Sequence, residues 1–190
     1  MTDMDVGECI LMHYERFLRE PMGRAVFESQ AFDFSLQVLE YNNVFEQCRV
    51  FASFGLSHFA RQLGGAIEVV VPVDQGWEIM ASVLANVLFR MVELEMQVGV
   101  GTRVSGIEKV FPGFASAFGK SAFYLTDPYD FPPPFAAPHC EMQDVRIYLG
   151  VFITDAEFEI INRNGINFLE EMFESQKIDP YVLRRNCATV

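Results

Sequence analysis

Apolar residues recur at three- and four-residue spacing in the middle of the chain, which places them on one face of a helix. They form a single stripe made of Met80, Val83, Leu84, Val87, Leu88, Met91 and Leu94. Trp77 opens this amphipathic segment and Asp74 is its predicted cap, while Gly99 and Gly101 are its predicted end. The pattern therefore predicts one long helix that packs on a core by its apolar face.

A shorter stripe near the start of the chain predicts another helix. Its apolar face carries Val6, Ile10, His13 and Phe17. Thr2 or Asp3 is the predicted cap of this helix, and acidic residues at its start favour the helix dipole. Pro21 and Gly23 are predicted to end it.

Alternation of apolar and polar residues predicts half-buried strands. Residues 32–38 alternate in this way, residues 41–43 (Tyr-Asn-Asn) favour a turn, and residues 44–54 form a second strand, predicted to pair antiparallel with the first. Residues 67–73 form a nearly continuous apolar run in which Glu68 is the exception. Such a run is typical of a strand covered on both faces.

Two more strands are predicted in the last third of the chain, over residues 121–126 and 145–153. The second leads directly into Thr-Asp-Ala-Glu, in which Thr154 and Glu157 have the spacing of a capping box. This motif predicts a helix that begins there and runs to about Arg163.

A further helical face follows a break at Asn164-Gly165. It consists of Ile166, Leu169, Met172 and Phe173, and Asp179-Pro180 is its predicted end. The chain contains no internal repeat, no low-complexity tract and no convincing linker. Its mixture of strands and helices predicts a single α+β domain over residues 1–190.

The composition narrows the classes of partner. The chain has 190 residues, 51% of them apolar, and a formal net charge of −12. An acidic surface repels phosphate backbones, so direct nucleic-acid binding is not expected. Two alternatives remain open for the charge: it suits a basic protein partner, or it only keeps an apolar chain soluble.

The four cysteines, at positions 9, 48, 140 and 187, lack the spacing of a zinc site. Reduced thiols in a cytosolic protein are therefore expected. The N-terminus, Met-Thr-Asp-Met-Asp, is acidic where a secretory signal is basic, and no apolar run reaches the length of a membrane span. These features predict a cytoplasmic protein without a metal, a cofactor or a membrane contact.

A proline-rich segment over residues 127–139 is neither helix nor central strand. Its acidic and aromatic side chains are predicted to contact a protein partner: Asp127, Tyr129, Asp130, Phe131 and Phe135. The alternative is an ordered surface loop whose aromatic rings fold back onto the core.

No catalytic residue is predicted. Ser57 and His58 follow a strand at a glycine turn, but adjacent residues of a strand point to opposite faces, and the surrounding GLSH is not the GxSxG elbow. His13 lies on an apolar helix face, where a hydrogen-bonded core histidine is the ordinary interpretation.

Several motifs in order resemble the suppressor of fused-like domain. They are FGLSHF at 54–59, IEVVVP at 67–72, Trp77 followed by VLANVL, RIYLGVFITDAEFEIINRNG at 146–165, and Arg184-Arg185. The resemblance covers roughly residues 45–185. It implies one α+β domain with a mixed, mostly antiparallel sheet and helices packed around it, and no enzymatic activity.

The resemblance also implies a protein-binding module. Animal members of the family hold an extended peptide beside a strand, and the length of this chain is similar to that of stand-alone bacterial members. Such members are thought to be immunity proteins, so the predicted partner is a basic toxin or nuclease. The alternatives are a regulatory protein that sequesters another partner, a small-molecule hydrolase that uses Ser57 and His58, and a homodimeric structural protein. The sequence leaves the oligomeric state open.

Overall fold

The computed structural model describes residues 5–189, which form one seven-stranded sheet and the helices on its two faces. The strands are Gly23–Phe27 (β1), Leu36–Phe45 (β2), Cys48–Phe54 (β3), Ala66–Val73 (β4), Arg103–Ser105 (β5), Ala122–Thr126 (β6) and Val145–Ile153 (β7). The α-helices are Val6–Leu18 (α1), Ala60–Leu63 (α2), Trp77–Glu93 (α3), Ile107–Val110 (α4), Phe114–Phe118 (α5), Asp155–Asn164 (α6) and Ile166–Ser175 (α7). Short 3-10 helices cover Leu56–Phe59 and Pro133–Ala136.

The sheet has the strand order β1-β2-β3-β4-β7-β6-β5. Strands β4 and β7 run parallel, with Ala66 opposite Val145 and Val70 opposite Leu149. The other neighbouring pairs are antiparallel. The predicted α+β class and the predicted mixed, mostly antiparallel sheet are thus confirmed.

Strand β4 lies at the centre of the sheet, and all eight of its residues are buried. Its alternate residues belong to two separate cores. Val69 and Val71 pack with the apolar stripe of α3, whereas Ala66 and Val70 pack with residues of α1, α6 and α7 on the opposite face. Successive side chains of a strand point to opposite faces, so a strand covered on both faces needs a continuous apolar run.

The bounds of α3 differ from the prediction. Gly76, not Asp74, occupies the N-cap position, and the Asp74 carboxylate instead accepts a hydrogen bond from the backbone N–H of Leu183 at 2.8 Å. The helix ends at Glu93, well before Gly99 and Gly101. Glu95 adopts a left-handed conformation with φ 48° directly after the end, so an ordinary residue turns the chain where a glycine was expected.

The β-strands near the N-terminus also begin and end elsewhere. The first predicted strand starts at Leu36 rather than Phe32, and β1 was not predicted. Residues 41–43 lie within β2, where the pairing with β3 shifts between Tyr41 and Phe45. Asn43 is left-handed there, with φ 57°, so its tolerance of this conformation serves a bulge instead of the predicted hairpin turn.

The cysteines contradict the prediction of four reduced thiols. Cys9 of α1 and Cys140 form a disulfide, while Cys48 and Cys187 are free. The two bonded residues are 131 positions apart, so no local spacing indicated that they meet. The predicted caps of α1, Thr2 and Asp3, lie outside the described residues, and Asp5 occupies the N-cap position.

The predicted strand over residues 145–153 and the predicted capping box are confirmed, whereas the last helix ends at Ser175, before the predicted Asp179-Pro180. Strand β7 leads into the capping box, in which Thr154 Oγ1 accepts from the backbone N–H of Glu157 at 3.2 Å and Glu157 Oε2 accepts from that of Thr154 at 2.9 Å. Gly165, with φ 88°, separates α6 from α7, and α7 ends at Ser175. No helix within residues 5–189 is long and apolar enough to cross a membrane.

Candidate functional site

A buried carboxylate holds the glycine turn that follows β3. Glu68 is fully buried, and its oxygens accept hydrogen bonds from Ser53 Oγ at 2.5 Å and from the backbone N–H groups of Gly55 at 3.0 Å, Leu56 at 3.3 Å and Ser57 at 3.1 Å. Burial raises the pKa of Glu68, while these hydrogen bonds oppose the rise. Gly55 is left-handed, with φ 97°, which lets successive N–H groups point at one carboxylate.

This arrangement gives Ser57 and His58 separate surroundings. Ser57 is buried and its backbone N–H donates to Glu68, whereas the His58 ring stacks on Phe34 with the ring centroids 4.9 Å apart. No hydrogen bond joins Ser57 to His58 in the described part of the chain. The turn residues therefore brace β3 against β4, and their pairing as nucleophile and base is not formed.

An open groove lies between the segment after β6 and helix α7. We call it the acidic groove; it has a volume of about 650 Å³. Its lining residues are Tyr129, Asp130, Asn167, Glu170, Glu171, Phe173, Glu174, Ile178 and Pro180. Four carboxylates thus surround a wall that is partly aromatic and aliphatic. This is the chemistry that accommodates a cationic side chain with an apolar stem.

The structure brings two of the five predicted partner-binding residues into this groove. Tyr129 is 50% exposed, and Asp130 is held by the Tyr181 hydroxyl, which donates to its Oδ2 at 2.5 Å. Asp127 lies on the exposed surface nearby, where it pairs with Arg146 at 2.6 Å. Tyr129, Asp130 and Asp127 are therefore the members of the predicted set that a partner can reach.

The other two predicted residues fold back onto the core. Phe131 is 7% exposed and Phe135 is fully buried, and their rings stack with centroids 4.3 Å apart. Phe135 also packs against Phe17 of α1 at 5.6 Å, and its carbonyl oxygen accepts from His13 Nε2 at 3.0 Å. Both phenylalanines belong to the core that also contains Phe173, a residue that lines the groove.

Sequence reasoning missed the contribution of α7 to the groove. Glu171 and Glu174 are exposed and Glu170 is partly buried, and burial raises the pKa of Glu170. The sequence indicates only that these residues face away from the apolar stripe of a helix. Their proximity to Tyr129 depends on how α7 packs against a segment some forty positions away in sequence, and no local pattern encodes that.

A second groove on the same molecule has the opposite charge. We call it the basic groove; it has a volume of about 470 Å³, lies beside the edge strand β5, and has three cationic residues, Arg90, Arg103 and Lys109, among its lining side chains. Arg103 Nε donates to Asn162 Oδ1 at 2.7 Å. Glu93, which pairs with Arg90 at 3.5 Å, also lines this groove, so its cationic side chains outnumber its carboxylates three to one.

Within residues 5–189, no group of three or more His, Cys, Asp or Glu side chains is placed to hold a metal ion. The candidate site is a groove with acidic and aromatic walls, next to a core that contains Phe131 and Phe135.

Comparison with known protein families decides the family. The family model described as Suppressor of fused protein (SUFU) matches residues 33–186. This chain belongs to the suppressor of fused family. The match contains the FGLS turn, its buried partner Glu68, β7 and the capping box, so the motifs that carried the resemblance lie within the family's own region.

Solved structures show the same fold. A Neisseria gonorrhoeae FA 1090 protein, described as a SUFU homologue, aligns with a TM-score of 0.74 at 18% identity over 98% of each chain. The Sufu–Fu complex aligns with 0.66 at 10% identity over 96% of this chain and 90% of that one. Drosophila Suppressor of Fused aligns with 0.64 at 12% identity over 96% of this chain and 50% of that one. No functionally curated protein matches the sequence.

Proposed function

We propose that this suppressor of fused-like domain is a non-enzymatic protein-binding module, and that it acts as an immunity protein by binding and neutralising a basic toxin. The observation that carries the proposal is the acidic groove between Tyr129 and α7. A solved structure with the same fold is the Sufu–Fu complex, which supports binding of a protein partner. The net charge of −12 would steer a basic partner toward the domain.

The occupant that fits the acidic groove is a basic, partly apolar segment of the toxin. A lysine or arginine of that segment would place its charge between Glu171 and Glu174, which are both exposed, and would lay its methylene stem on Phe173 and Ile178. Tyr129 would act as an aromatic anchor, since tyrosine offers a large contact area at a low entropic cost. The carboxylates of the groove would attract the basic segment, and its apolar wall would fix the position of that segment.

The predicted residues take two roles in this proposal. Asp127, Tyr129 and Asp130 would contact the partner directly. Phe131 and Phe135 would act through position, because they support the loop from beneath. Truncation of either phenylalanine is expected to disturb loop packing as well as binding, so Tyr129→Ala is the more selective test of direct contact.

Two further inferences belong to the same proposal. A regulatory protein that sequesters another partner would use the same groove and differ only in the identity of the occupant. A cytoplasmic location is also part of the proposal. It can be tested through Cys9 and Cys140, because the cytosol keeps thiols reduced while oxidising compartments retain disulfides. Trapping of the free thiols in intact cells, followed by mass spectrometry, distinguishes the two states.

Binding at the groove can be measured with a defined probe, a short amidated peptide of alternating lysine and leucine. Removal of two groove charges in Glu171→Gln/Glu174→Gln is expected to weaken its affinity about tenfold, as measured by isothermal titration calorimetry. The matched control is Glu20→Gln/Glu95→Gln, which removes the same charge from exposed positions outside the groove. Equal losses in the two variants would show that only the overall charge attracts the peptide, and would contradict the groove as the binding site.

The immunity role needs a toxin. Basic products of neighbouring genes should be co-expressed with this chain in a bacterial host, with growth and complex formation as readouts. A salt-sensitive one-to-one complex that restores growth, and that Tyr129→Ala weakens, is the expected result. If growth is arrested by a basic neighbour product whether or not this chain is present, that product is not its target.

A further inference from the structure

A single covalent bond ties the first helix to the β6–β7 loop (residues 127–144). Cys9 of α1 is bonded to Cys140 near the end of this loop. The noncovalent contacts beside the bond converge on Phe135: His13 Nε2 donates to its carbonyl oxygen at 3.0 Å, and the rings of His13, Tyr14 and Phe17 have centroids 5.7, 6.3 and 5.6 Å from its ring. The disulfide is therefore the strongest link between α1 and the loop.

Aromatic stacking connects this link to the acidic groove. Phe135 stacks on Phe131 with centroids 4.3 Å apart, and Phe131 directly follows Asp130 in the chain. The backbone N–H of Phe131 also donates to the carbonyl oxygen of Pro128 at 3.0 Å, which closes the turn that carries Tyr129. A shift of Phe135 would thus remove the ring on which this turn rests.

The bond is placed where a thiol can reach it. Cys140 is partly exposed and lies between His139 and Glu141, which are both exposed. By contrast, Cys48 is buried, and burial raises the pKa of its thiol to about 11, which disfavours the reactive thiolate. Cys9, the other half of the bond, is only 8% exposed. Attack by an external thiol is therefore directed to the more exposed sulfur, that of Cys140.

We propose that the Cys9–Cys140 disulfide is a thiol-exchangeable clamp: in its oxidised form it holds the β6–β7 loop on α1 and preserves the groove wall formed by Tyr129 and Asp130, and reduction loosens that wall. The effect on the loop stands on the contacts described above. The effect on partner binding rests on the proposed function.

A low-molecular-weight thiol such as glutathione is the reductant in this thiol–disulfide exchange. Its thiolate attacks Cys140 Sγ to form a mixed disulfide, and Cys9 leaves as a thiolate that takes up a proton. A second thiol then attacks the sulfur of the first, which releases Cys140 as a thiol and leaves the reductant as its own disulfide. Two electrons and two protons pass from two external thiols to the two cysteines.

Amide hydrogen exchange tests the clamp without any partner. The intact protein is compared in its oxidised and reduced forms, together with Cys9→Ser, Cys140→Ser and the control Cys187→Ser. Reduction and both clamp variants are expected to speed exchange of the Phe135 and Phe131 amides tenfold or more. The amides of β4 and β7 should keep their rates, because their hydrogen bonds lie within the sheet.

The control variant should respond to reduction as the unmodified protein does. A midpoint of thermal unfolding lower by roughly 10 °C after reduction is the accompanying expectation, since the bond closes a long loop of chain. Equal exchange rates of Phe135 and Phe131 in the oxidised and reduced forms would overturn the clamp, whatever the change in midpoint.

The binding consequence is measured with the same lysine–leucine peptide at matched ionic strength. Weaker binding to the reduced form, by about fivefold, supports the full proposal. Equal affinity for both forms, with faster loop exchange in the reduced one, would overturn control of the groove by the clamp. If the peptide binds neither form, the proposed function fails, and the exchange rates alone decide whether the clamp exists.

Discussion

Glu68 and Glu157 are both fully buried carboxylates, yet their surroundings shift their pKa values in opposite directions. The oxygens of Glu68 face neutral donors, the Ser53 hydroxyl and three backbone N–H groups. Burial raises its pKa, and these donors do not cancel the effect. Burial also acts to raise the pKa of Glu157, but the hydrogen bonds and charge of Arg185 outweigh it and lower the pKa.

The difference shows what a cation adds at a buried site. Arg185 contacts Glu157 through Nη1 at 2.5 Å and through Nη2 at 3.1 Å, and Glu157 Oε1 also accepts from the backbone N–H of Ala188 at 2.9 Å. Glu157 thereby joins the start of α6 to the irregular tail after α7. Glu68 has a similar role with neutral donors, since its hydrogen bonds join the turn after β3 to the central strand β4. Each carboxylate replaces backbone pairing where the chain is not regular.

The largest expected effect comes from breaking the ion pair on one side. Arg185→Met should lower the free energy of unfolding by about 3–5 kcal/mol, because it leaves the Glu157 charge buried without a partner. Urea unfolding followed by circular dichroism measures this change. In Arg185→Met/Glu157→Gln the loss should be clearly smaller than the sum of the two single losses. If Arg185→Met lowers the free energy of unfolding by less than about 1 kcal/mol, the ion pair with Glu157 does not hold the tail in place.

Glu68→Gln should have a smaller but distinct effect. The amide keeps one acceptor oxygen and replaces the other by a donor that faces backbone N–H groups, so the loss should be about 1–3 kcal/mol. The control is Glu20→Gln, an exposed substitution expected to change stability by less than about 0.5 kcal/mol. If the two variants are equally stable in urea, the bracing role assigned to Glu68 is wrong.

The smallest expected effect is the dependence of stability on pH, because the two carboxylates stabilise the fold in different pH ranges. Glu157 has a lowered pKa, so its contribution to stability is present above its ordinary value of 4.5 and is lost as the pH falls through the folded value. Glu68 has a raised pKa, so its contribution is present below 4.5 and is lost as the pH rises through the folded value. Urea unfolding from pH 3 to pH 8 measures both slopes.

The variants assign each slope to its carboxylate. Relative to the unmodified protein, Glu157→Gln should flatten the fall of stability on the acid side, and Glu68→Gln should flatten a fall on the alkaline side of 4.5. A steeper acid-side fall in Glu157→Gln would reverse the sign assigned to Arg185.

Particular elements show how far sequence reasoning reaches. Strand β4 and the capping box of Thr154 and Glu157 were predictable, because their signals lie within a few neighbouring residues. Glu68 was recognised only as an exception in an apolar run. Its role needs the turn after β3, which reaches it through antiparallel pairing of β3 with β4. Cys9 and Cys140 gave no signal, since their meeting depends on how α1 packs.

The candidate site also combines residues that the sequence indicated with contacts that only the structure shows. Tyr129 and Asp130 were selected from the composition of a proline-rich segment. The burial of Phe131 and Phe135 agrees with the alternative in which the aromatic rings of this loop fold back onto the core, but the sequence did not show that these two rings are buried while Tyr129 is exposed. The approach of Glu171 and Glu174 could not be inferred. Each depends on which face of a loop or helix meets the core, and many remote contacts decide that together.

By itself, the sequence determined the class of fold, the central strand, the four long helices α1, α3, α6 and α7, and the family, because hydrophobic periodicity, capping and motif order are local properties of the chain. Only the tertiary structure decided the partners of the two buried carboxylates, the disulfide and the acidic groove. These arise where segments far apart in sequence come within a few ångströms, and the free energy that selects such contacts belongs to the whole packed molecule.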